Sequence, residues 1–238
     1  MYLTRFRVNT ARTGARRLLS SPQRLHAAVM SSFAEIPLPG GDGPRVLWRL
    51  DRDSAAETFL YVVSVAEPDL THLVEQAGWP QTGRWDTRDY GPFLSRLAKG
   101  DLWAFRLTAN PVHSIRRTAG EPTKVTAHVG PRHQSGWLLR RQEEAGFRVV
   151  ERPQERRLLP EGDRYALTPK GDRYELAVRD QRQLSFHKAG QRQLVTLTAV
   201  TFDGWLEVTD PDALRRMLTH GLGRGKAYGC GLMTLAVV

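Results

Sequence analysis

Two parts of the sequence carry residue types suited to chemistry at a phosphate: a single histidine near the start and a glycine-rich run near the end. His26 titrates near neutral pH, so it can move a proton when a ribose 2′-hydroxyl attacks the adjacent phosphate. The run at 221–231 contains five glycines and two cations, Arg224 and Lys226. Glycine leaves backbone N–H groups free of Cβ obstruction. Such a run therefore permits close approach of a sugar–phosphate backbone.

The glycine-rich run does not match two well-defined phosphate-binding motifs. A P-loop requires Ser or Thr after Gly-Lys, but Ala227 follows Lys226, and His220 stands where the first glycine should be. The dinucleotide motif fails because Lys226 occupies its third glycine position. Two interpretations remain: a cationic backbone surface for a phosphate chain, or a helix stop followed by a crowded strand crossing.

The histidine also has two interpretations. On a predicted helix, His26 lies at the edge of an apolar stripe formed by Leu25, Val29 and Phe33, with Gln23 one turn away. An edge position can present the imidazole to a ligand while the stripe anchors the helix. A lone histidine on a helix is, however, more often structural or merely exposed, and both alternatives stay open here.

Metal and disulfide chemistry have little support in the sequence. The single cysteine, Cys230, excludes an internal disulfide framework and a multi-cysteine zinc site. His128 and His133 lie five residues apart without a third ligand, and no serine elbow or aspartate-rich cluster occurs. We expect neither a metal nor a small-molecule cofactor.

The composition is that of a soluble globular chain with an excess of basic residues. The excess indicates either a polyanionic partner or a proteome that is generally rich in arginine. The 238 residues include 35 Lys and Arg against 25 Asp and Glu, a formal net charge of +10. A positive excess favours nucleic acid, because phosphate contacts release condensed counterions. No apolar run reaches the ~18–20 residues of a membrane span. Because Arg5 and Arg7 interrupt any signal core, we expect a cytoplasmic protein without membrane contact.

The first half of the chain alternates strand and helix patterns. Residues 2–8 alternate apolar and basic side chains as in a half-buried strand. A helix is predicted from Pro22, with Ser21 as its cap. The remaining predicted elements are strands at 46–50 and 58–65, a short helix at 68–76 and a last strand within 78–92.

The second half repeats this order of elements without a repeat in sequence. Its predicted elements are a strand at 102–109, a helix at 133–145, strands at 147–150, 194–202 and 205–208 with a tight turn or bend at Asp203-Gly204, a helix from Pro211 to Gly221 capped by Asp210, and a strand at 232–237. We therefore predict an α+β fold of two tandem ferredoxin-like (βαββαβ) domains, at 1–94 and 100–238. The excess at Glu155–Arg192 predicts one or two β-hairpins inserted in the second domain.

The order of several short motifs resembles one known family over nearly the whole chain. These motifs are the Met1–Arg5 strand, the Ser21-Pro22 helix with His26, Leu47-Trp48-Arg49-Leu50, the Phe105–Pro111 segment and the glycine-rich run. Together they resemble the CRISPR repeat-processing endoribonuclease of type I-E systems, the CasE subunit of Cascade.

The resemblance implies a metal-independent endoribonuclease that cuts precursor CRISPR RNA at the base of the repeat stem-loop. Attack by the 2′-hydroxyl would leave a 2′,3′-cyclic phosphate or 3′-phosphate and a 5′-hydroxyl. The enzyme would then retain the stem-loop beside other Cascade subunits. The family's helix histidine corresponds to His26, and its glycine-rich loop corresponds to Gly221, Gly223, Lys226, Gly229 and Gly231.

The candidate catalytic residues are His26, Gln23 and Lys226. The candidates for RNA contact are Arg16, Arg17, Arg24, Arg182, Lys188, Arg192, Gly221, Gly223, Arg224, Gly225 and Gly229. Three of these, Arg182, Lys188 and Arg192, belong to the inserted segment, whose hairpin could enter the groove of an RNA stem. An exposed, solvated hairpin is the alternative for that segment.

The chain departs from the family pattern at three positions, which leaves roles open. Gln23 replaces a tyrosine found in some relatives, Ala27 replaces a basic residue, and His113 stands where lysine is frequent. Gln23 cannot transfer a proton but could orient a hydroxyl. His26 could therefore act as acid or as base, and Lys226, Arg224, Arg17 or Arg24 could stabilise the phosphorane. Two rival functions stay open: a non-catalytic stem-loop RNA-binding subunit, and a basic ferredoxin-like assembly or DNA-binding protein.

Overall fold

The computed structural model describes residues 1–35, 43–53, 57–81, 83–115, 124–157, 173–187 and 194–237. The elements of the first half are β1 (Tyr2–Val8), α1 (Thr13–Leu19), α2 (Pro22–Met30), β2 (Leu47–Arg52), β3 (Thr58–Ser64), α3 (Thr71–Ala77) and β4 (Trp85–Asp89). The strands form an antiparallel sheet in the order β2-β3-β1-β4.

One face of this sheet is covered by helices, as alternation along its strands requires. Phe6 and Val8 of β1 are buried in the same cluster as Leu25, Val29 and Phe33. The apolar stripe predicted for the helix that carries His26 is therefore confirmed. Because that stripe anchors α2, the histidine at its edge has a fixed position.

Two local features of this half differ from expectation. Ser21 is the N-cap residue of α2, as predicted, but its side chain accepts no capping hydrogen bond. The helix α1 was not predicted: it places Ala15 in the core, and Arg12 before it donates to the carbonyl oxygens of Val74 and Gly78 at 3.2 and 3.1 Å. Contacts with α3 thus stabilise a short helix that has weak local signals of its own.

The second half is reached through α4 (Gly91–Arg96), a short helix that was not predicted. The second half then contains β5 (Leu102–Ala109), β6 (Val112–Ile115), β7 (Lys124–Ala127), α5 (Pro131–Leu139), β8 (Phe147–Val149), β9 (Leu176–His187), β10 (Leu194–Val208), α6 (Pro211–His220) and β11 (Met233–Ala236). The main sheet has the order β11-β5-β10-β8, with β9 also paired to β10. Both sheets have the antiparallel strand order of a ferredoxin-like unit, so the predicted fold class is confirmed.

The inserted segment extends the second sheet. β9 pairs with β10 from His187 opposite Leu194 to Leu176 opposite Gly204, so the predicted hairpin is a continuation of the two strands. Arg182 lies on β9. Lys188 and Arg192 lie outside the described residues. A second hairpin, β6–β7, was missed.

The tight turn predicted at Asp203-Gly204 is wrong, because β10 continues through it. Asp203 lies opposite Arg106 of β5 in the ladder. Its carboxylate accepts from the Arg106 guanidinium at 2.8 Å and also pairs with Arg179. This local pairing favours strand at a dipeptide typical of turns. The helix predicted at 133–145 is also shorter, ending at Leu139.

The two sheets share a core and a buried arginine. Leu47 and Val63 of the first sheet belong to the same apolar cluster as Phe105 and Leu107 of the second. Arg49, which is 1% exposed, pairs with Asp51 at 2.7 Å and donates to the carbonyl oxygens of Arg106 and Leu232 and to the hydroxyl of Thr234. This apolar cluster contains residues from both sides of 94–100. The predicted division into two domains at that point stays a prediction.

No helix of the described ranges has the length and apolar character that crossing a membrane requires.

Candidate active site

His26 is half-buried on α2 and is held by the indole of Trp48. The Nε1–H of Trp48 donates to His26 Nδ1 at 3.4 Å, and Trp48 itself is buried on β2. Because Nδ1 accepts this bond, the neutral ring carries its proton on Nε2. Burial lowers the pKa of His26 below its ordinary value. At neutral pH the ring is therefore uncharged, with an N–H on the nitrogen left for a ligand.

Gln23 lies one turn before His26 on the same side of α2. Its Oε1 is buried and has no hydrogen-bond partner among the described residues. Buried acceptors in native structures usually have a donor. A substrate hydroxyl is one group that could supply it, which agrees with the predicted role of Gln23 in orienting a hydroxyl, and that role stays a prediction.

The glycine-rich loop contacts the same tryptophan. A 3₁₀ turn at Lys226–Tyr228 lies beside α2 and β2. Gly229, which follows it, has a φ of 81°, and a Cβ at that position would lie 2.6 Å from the Trp48 ring. Only glycine allows this approach with this backbone conformation. The loop near the end of the chain and the histidine near its start thus meet through Trp48.

Lys226 brings a partly buried cation to this contact. It opens the 3₁₀ turn that lies beside α2. Burial, and after it the positive charge of Arg45, lowers the pKa of Lys226. A desolvated ammonium group interacts more strongly with an anion than an exposed one does. This supports, without testing, its predicted role as a cation near the phosphate.

The rest of the loop is bonded to the second sheet through its backbone. Arg224 forms an isolated β-bridge with Asn110, which follows β5, and the N–H of Gly231 donates to the carbonyl oxygen of Thr108 at 2.7 Å. Gly223, with a φ of 81°, packs against the edge of Trp137. Gly221 ends α6, as predicted. The glycines therefore do serve a crowded crossing, and the same crossing places the loop beside His26.

A cavity of about 110 Å³ lies between the two halves, next to Trp48 and Gly229. It brings Arg52 of β2 close to Arg182 of β9. Burial, and after it the charge of Arg182, lowers the pKa of Arg52. Sequence reasoning identified Arg182 and missed Arg52, because nothing in the sequence places the end of β2 opposite the inserted strand.

The other predicted contact residues are dispersed. Arg16 and Arg17 lie exposed on α1, and Arg24 lies exposed on α2 and donates to Ser20 Oγ at 3.1 Å. None of the three forms an ion pair with another residue that the structure describes. Their charges are therefore available to a polyanion, and their predicted contact with RNA stays a prediction.

The described residues contain neither a cluster of metal-ligating side chains nor an exposed thiol. Within the described ranges, no group of three or more His, Cys, Asp or Glu could hold a metal ion. Cys230 is fully buried, and burial raises the pKa of its thiol to about 12. The thiol is therefore a core side chain in contact with Leu197 and Ala199.

Residues 1–236 match the family model described as CRISPR associated protein. The CRISPR-associated endoribonuclease Cse3 of Thermus thermophilus is 33% identical over 237 residues, which cover 99% of this chain and 100% of that protein.

Two solved structures of Cse3 with RNA have the same architecture. The chain of Cse3 bound to a 19-nucleotide RNA is 30% identical, with a TM-score of 0.74 and 100% of both chains covered. The Thermus thermophilus Cse3 bound to an RNA representing a pre-cleavage complex is also 30% identical, with a TM-score of 0.73 over 99% of this chain and 98% of that one. Matched in sequence over almost its full length and in fold throughout, the chain belongs to the CRISPR-associated protein family.

Proposed function

We propose that the protein is an endoribonuclease that cuts precursor CRISPR RNA at the base of the repeat stem-loop. The observation that carries the proposal is the meeting of His26 with the cationic glycine-rich loop at Trp48. The relative Cse3 is named as an endoribonuclease, and it has been solved with RNA bound. A net charge of +10 suits the same partner.

The proposed reaction is an internal transfer at one ribose–phosphate linkage. The 2′-oxygen forms a bond to phosphorus, its proton passes to solvent, and the bond from phosphorus to the 5′-oxygen breaks. The products are a 2′,3′-cyclic phosphate, which water can open to a 3′-phosphate, and a 5′-hydroxyl that has gained a proton from solvent. Because the nucleophile belongs to the substrate, no metal-activated water is required.

His26 acts as a donor in this proposal. With Nδ1 accepting from Trp48, the Nε2–H faces the substrate and donates to an oxygen on which negative charge develops. Lys226 supplies positive charge to the phosphorane, and Gln23 accepts from the attacking hydroxyl. The opposite role, with His26 as base, would require the proton on Nδ1 and the loss of the Trp48 bond.

The decisive experiment compares the native protein with H26A on the host's repeat RNA in the presence of a chelator. A positioned hydrogen-bond donor to developing negative charge is worth about 10²–10³ in rate, so we expect a loss of that size in single-turnover cleavage with near-normal stem-loop binding. A substrate with a 2′-deoxy nucleotide at the scissile position should resist the native protein, and end-group analysis should show the products named above.

Two outcomes would contradict the proposal. Tight binding of the repeat with no cleavage by the native protein would favour the non-catalytic RNA-binding subunit, which the replacement of tyrosine by Gln23 makes the second candidate. Equal loss of binding and cleavage in H26A would identify a structural histidine.

We further propose that the protein retains the cleaved stem-loop as a subunit of Cascade, as the family resemblance implies. Gel filtration of the reaction should then show the 3′ stem-loop product co-eluting with the protein.

A further inference from the structure

We propose a second anion site, which binds a phosphodiester of the RNA flanking the cleaved linkage. It lies at the other end of the glycine-rich loop, where β6, the end of α5 and Gly223 surround a cavity of about 250 Å³. The inference rests on the proposed function, because it assigns a further contact to the same RNA.

Three guanidinium groups from two separate segments line this cavity. Arg140 and Arg141 come from the end of α5, and Arg224 comes from the loop. Within the described ranges, none of the three has a carboxylate partner within ion-pair distance. By contrast, Arg49 and Arg106, which line a different cavity, are paired with aspartates. The difference indicates that the partner of this cluster comes from outside the chain.

The charges around the cavity act on one another. The pKa of Arg141 is lowered by burial and then by Arg140, with Glu144 partly offsetting the effect. Arg141 also lies over the Trp137 ring at 4.3 Å and donates to the Trp137 carbonyl oxygen at 3.1 Å, so its guanidinium has a fixed position. A phosphate would relieve the repulsion between fixed cations.

The cavity walls also hold two buried nitrogen atoms that have no hydrogen-bond partner among the described residues. The Nε1 of Trp137 has no hydrogen-bond partner among the described residues, although the side chain is 1% exposed. His113 Nδ1 is likewise buried and unpartnered, and its ring stacks on His128 at 4.4 Å. An indole N–H can only donate, so an acceptor such as a phosphate oxygen would satisfy it.

The position of the cavity identifies which phosphate it would take. Gly223 packs on Trp137 at this cavity, and Gly229, six residues later in the same loop, packs on Trp48 beside His26. An RNA strand that follows the loop from His26 therefore reaches Arg224. The site would hold a backbone phosphate near the cleaved linkage, without reading the identity of a base.

The test measures how RNA binding depends on salt in R140Q, R224Q and the double variant, each as the full-length protein. Both side chains are exposed, and thermal melting confirms folding. R88Q is the matched control, since Arg88 is an exposed arginine of β4, at the sheet edge opposite the strand that carries Trp48. We expect each site variant to weaken binding about five- to tenfold at low salt and to reduce the slope of log Kd against log salt by about 0.7–1, with little change in R88Q.

A methylphosphonate scan of the repeat RNA locates the contact. Neutralising one linkage near the cleavage site should weaken binding to the native protein but not to the double variant. If the native protein binds and cleaves the repeat while the double variant keeps the native affinity and salt slope, the second site is overturned and the proposed function stands. If the native protein neither binds nor cleaves the repeat, both fail together.

Discussion

The two ends of the glycine-rich loop meet two tryptophans in different settings. At Gly229, Trp48 donates to a histidine whose pKa is lowered by burial. At Gly223, Trp137 borders a cavity lined by three arginines that lack carboxylate partners among the described residues. A donor in a desolvated, fixed position stabilises developing charge, whereas a cluster of cations attracts a polyanion. In the proposed function, one loop therefore joins a catalytic end to a binding end.

This division gives a general expectation for mutations. Changes at the Gly229 end should reduce the cleavage rate more than affinity, and changes at the Gly223 end should reduce affinity more than the rate at saturating RNA. Four measurements on three variants, beginning with the largest expected effect, test the division.

The largest effect is expected for G229A. The residue has a φ of 81°, and the new Cβ would lie 2.6 Å from the Trp48 ring. The backbone conformation alone costs about 1–2 kcal/mol for a residue with a side chain. The displaced indole would also release His26, so we expect single-turnover cleavage to fall by about 10²-fold, near the loss expected when the positioned donor is removed.

G100A is the control for that experiment. Gly100 has a φ of 90°, but apart from its chain neighbours no atom of the described residues lies within 4 Å of its Cβ position. It therefore carries the backbone cost without the contact. If G100A and G229A lose stability equally in thermal melts and both cleave at the native rate, the loop does not position His26.

A smaller effect is expected for W48F, which keeps most of the ring packing and removes the indole N–H. A neutral hydrogen bond contributes about 0.5–1.5 kcal/mol, so the cleavage rate should fall about two- to tenfold with unchanged RNA affinity. W205F, at a tryptophan that is 44% exposed, is the matched control.

The pH profile of W48F should shift in a defined direction. Burial lowers the pKa of His26, so the ring becomes a cation only as pH drops through that lowered pKa. A cationic ring donates from Nε2 more strongly than a neutral one, so the rate should rise on the acid side. The Trp48 bond favours the neutral ring, and its removal should raise the pKa of His26. The acid-side rise should therefore begin at higher pH in W48F. A rate that falls as pH drops through the pKa of His26 would instead identify His26 as a base.

The sequence predicted the fold well because alternation and helix stripes repeat over many residues. The prediction failed at short segments whose secondary structure depends on contacts with a few residues of other elements. The turn dipeptide Asp203-Gly204 lies in a strand because Arg106 and Arg179 pair with the carboxylate from other elements. The helix α1 forms because Ala15 and Arg12 contact α3. Such tertiary contacts have no local pattern.

The candidate site was predictable in part for the same reason. His26 and the glycine-rich run are conspicuous by composition, and the fold brings them together. The bond from Trp48 to His26 depends on the relative placement of α2 and β2, and the approach of Arg52 to Arg182 depends on the packing of the two sheets. Neither distance follows from residue types or from spacing.

The smallest effect is expected for R24Q, which tests whether the dispersed arginines belong to either end of the loop. Arg24 is exposed on α2, and its guanidinium donates a hydrogen bond to the Ser20 hydroxyl. Arg24 lines neither cavity, and a lone exposed charge is screened by solvent and salt, so we expect about a twofold loss of affinity and no change in rate at saturating RNA. R88Q again serves as the control for net charge. A tenfold loss in R24Q, with a salt slope reduced as much as in R140Q, would show that α2 carries a phosphate contact of its own, and the binding end would then extend past Trp48 to the catalytic helix.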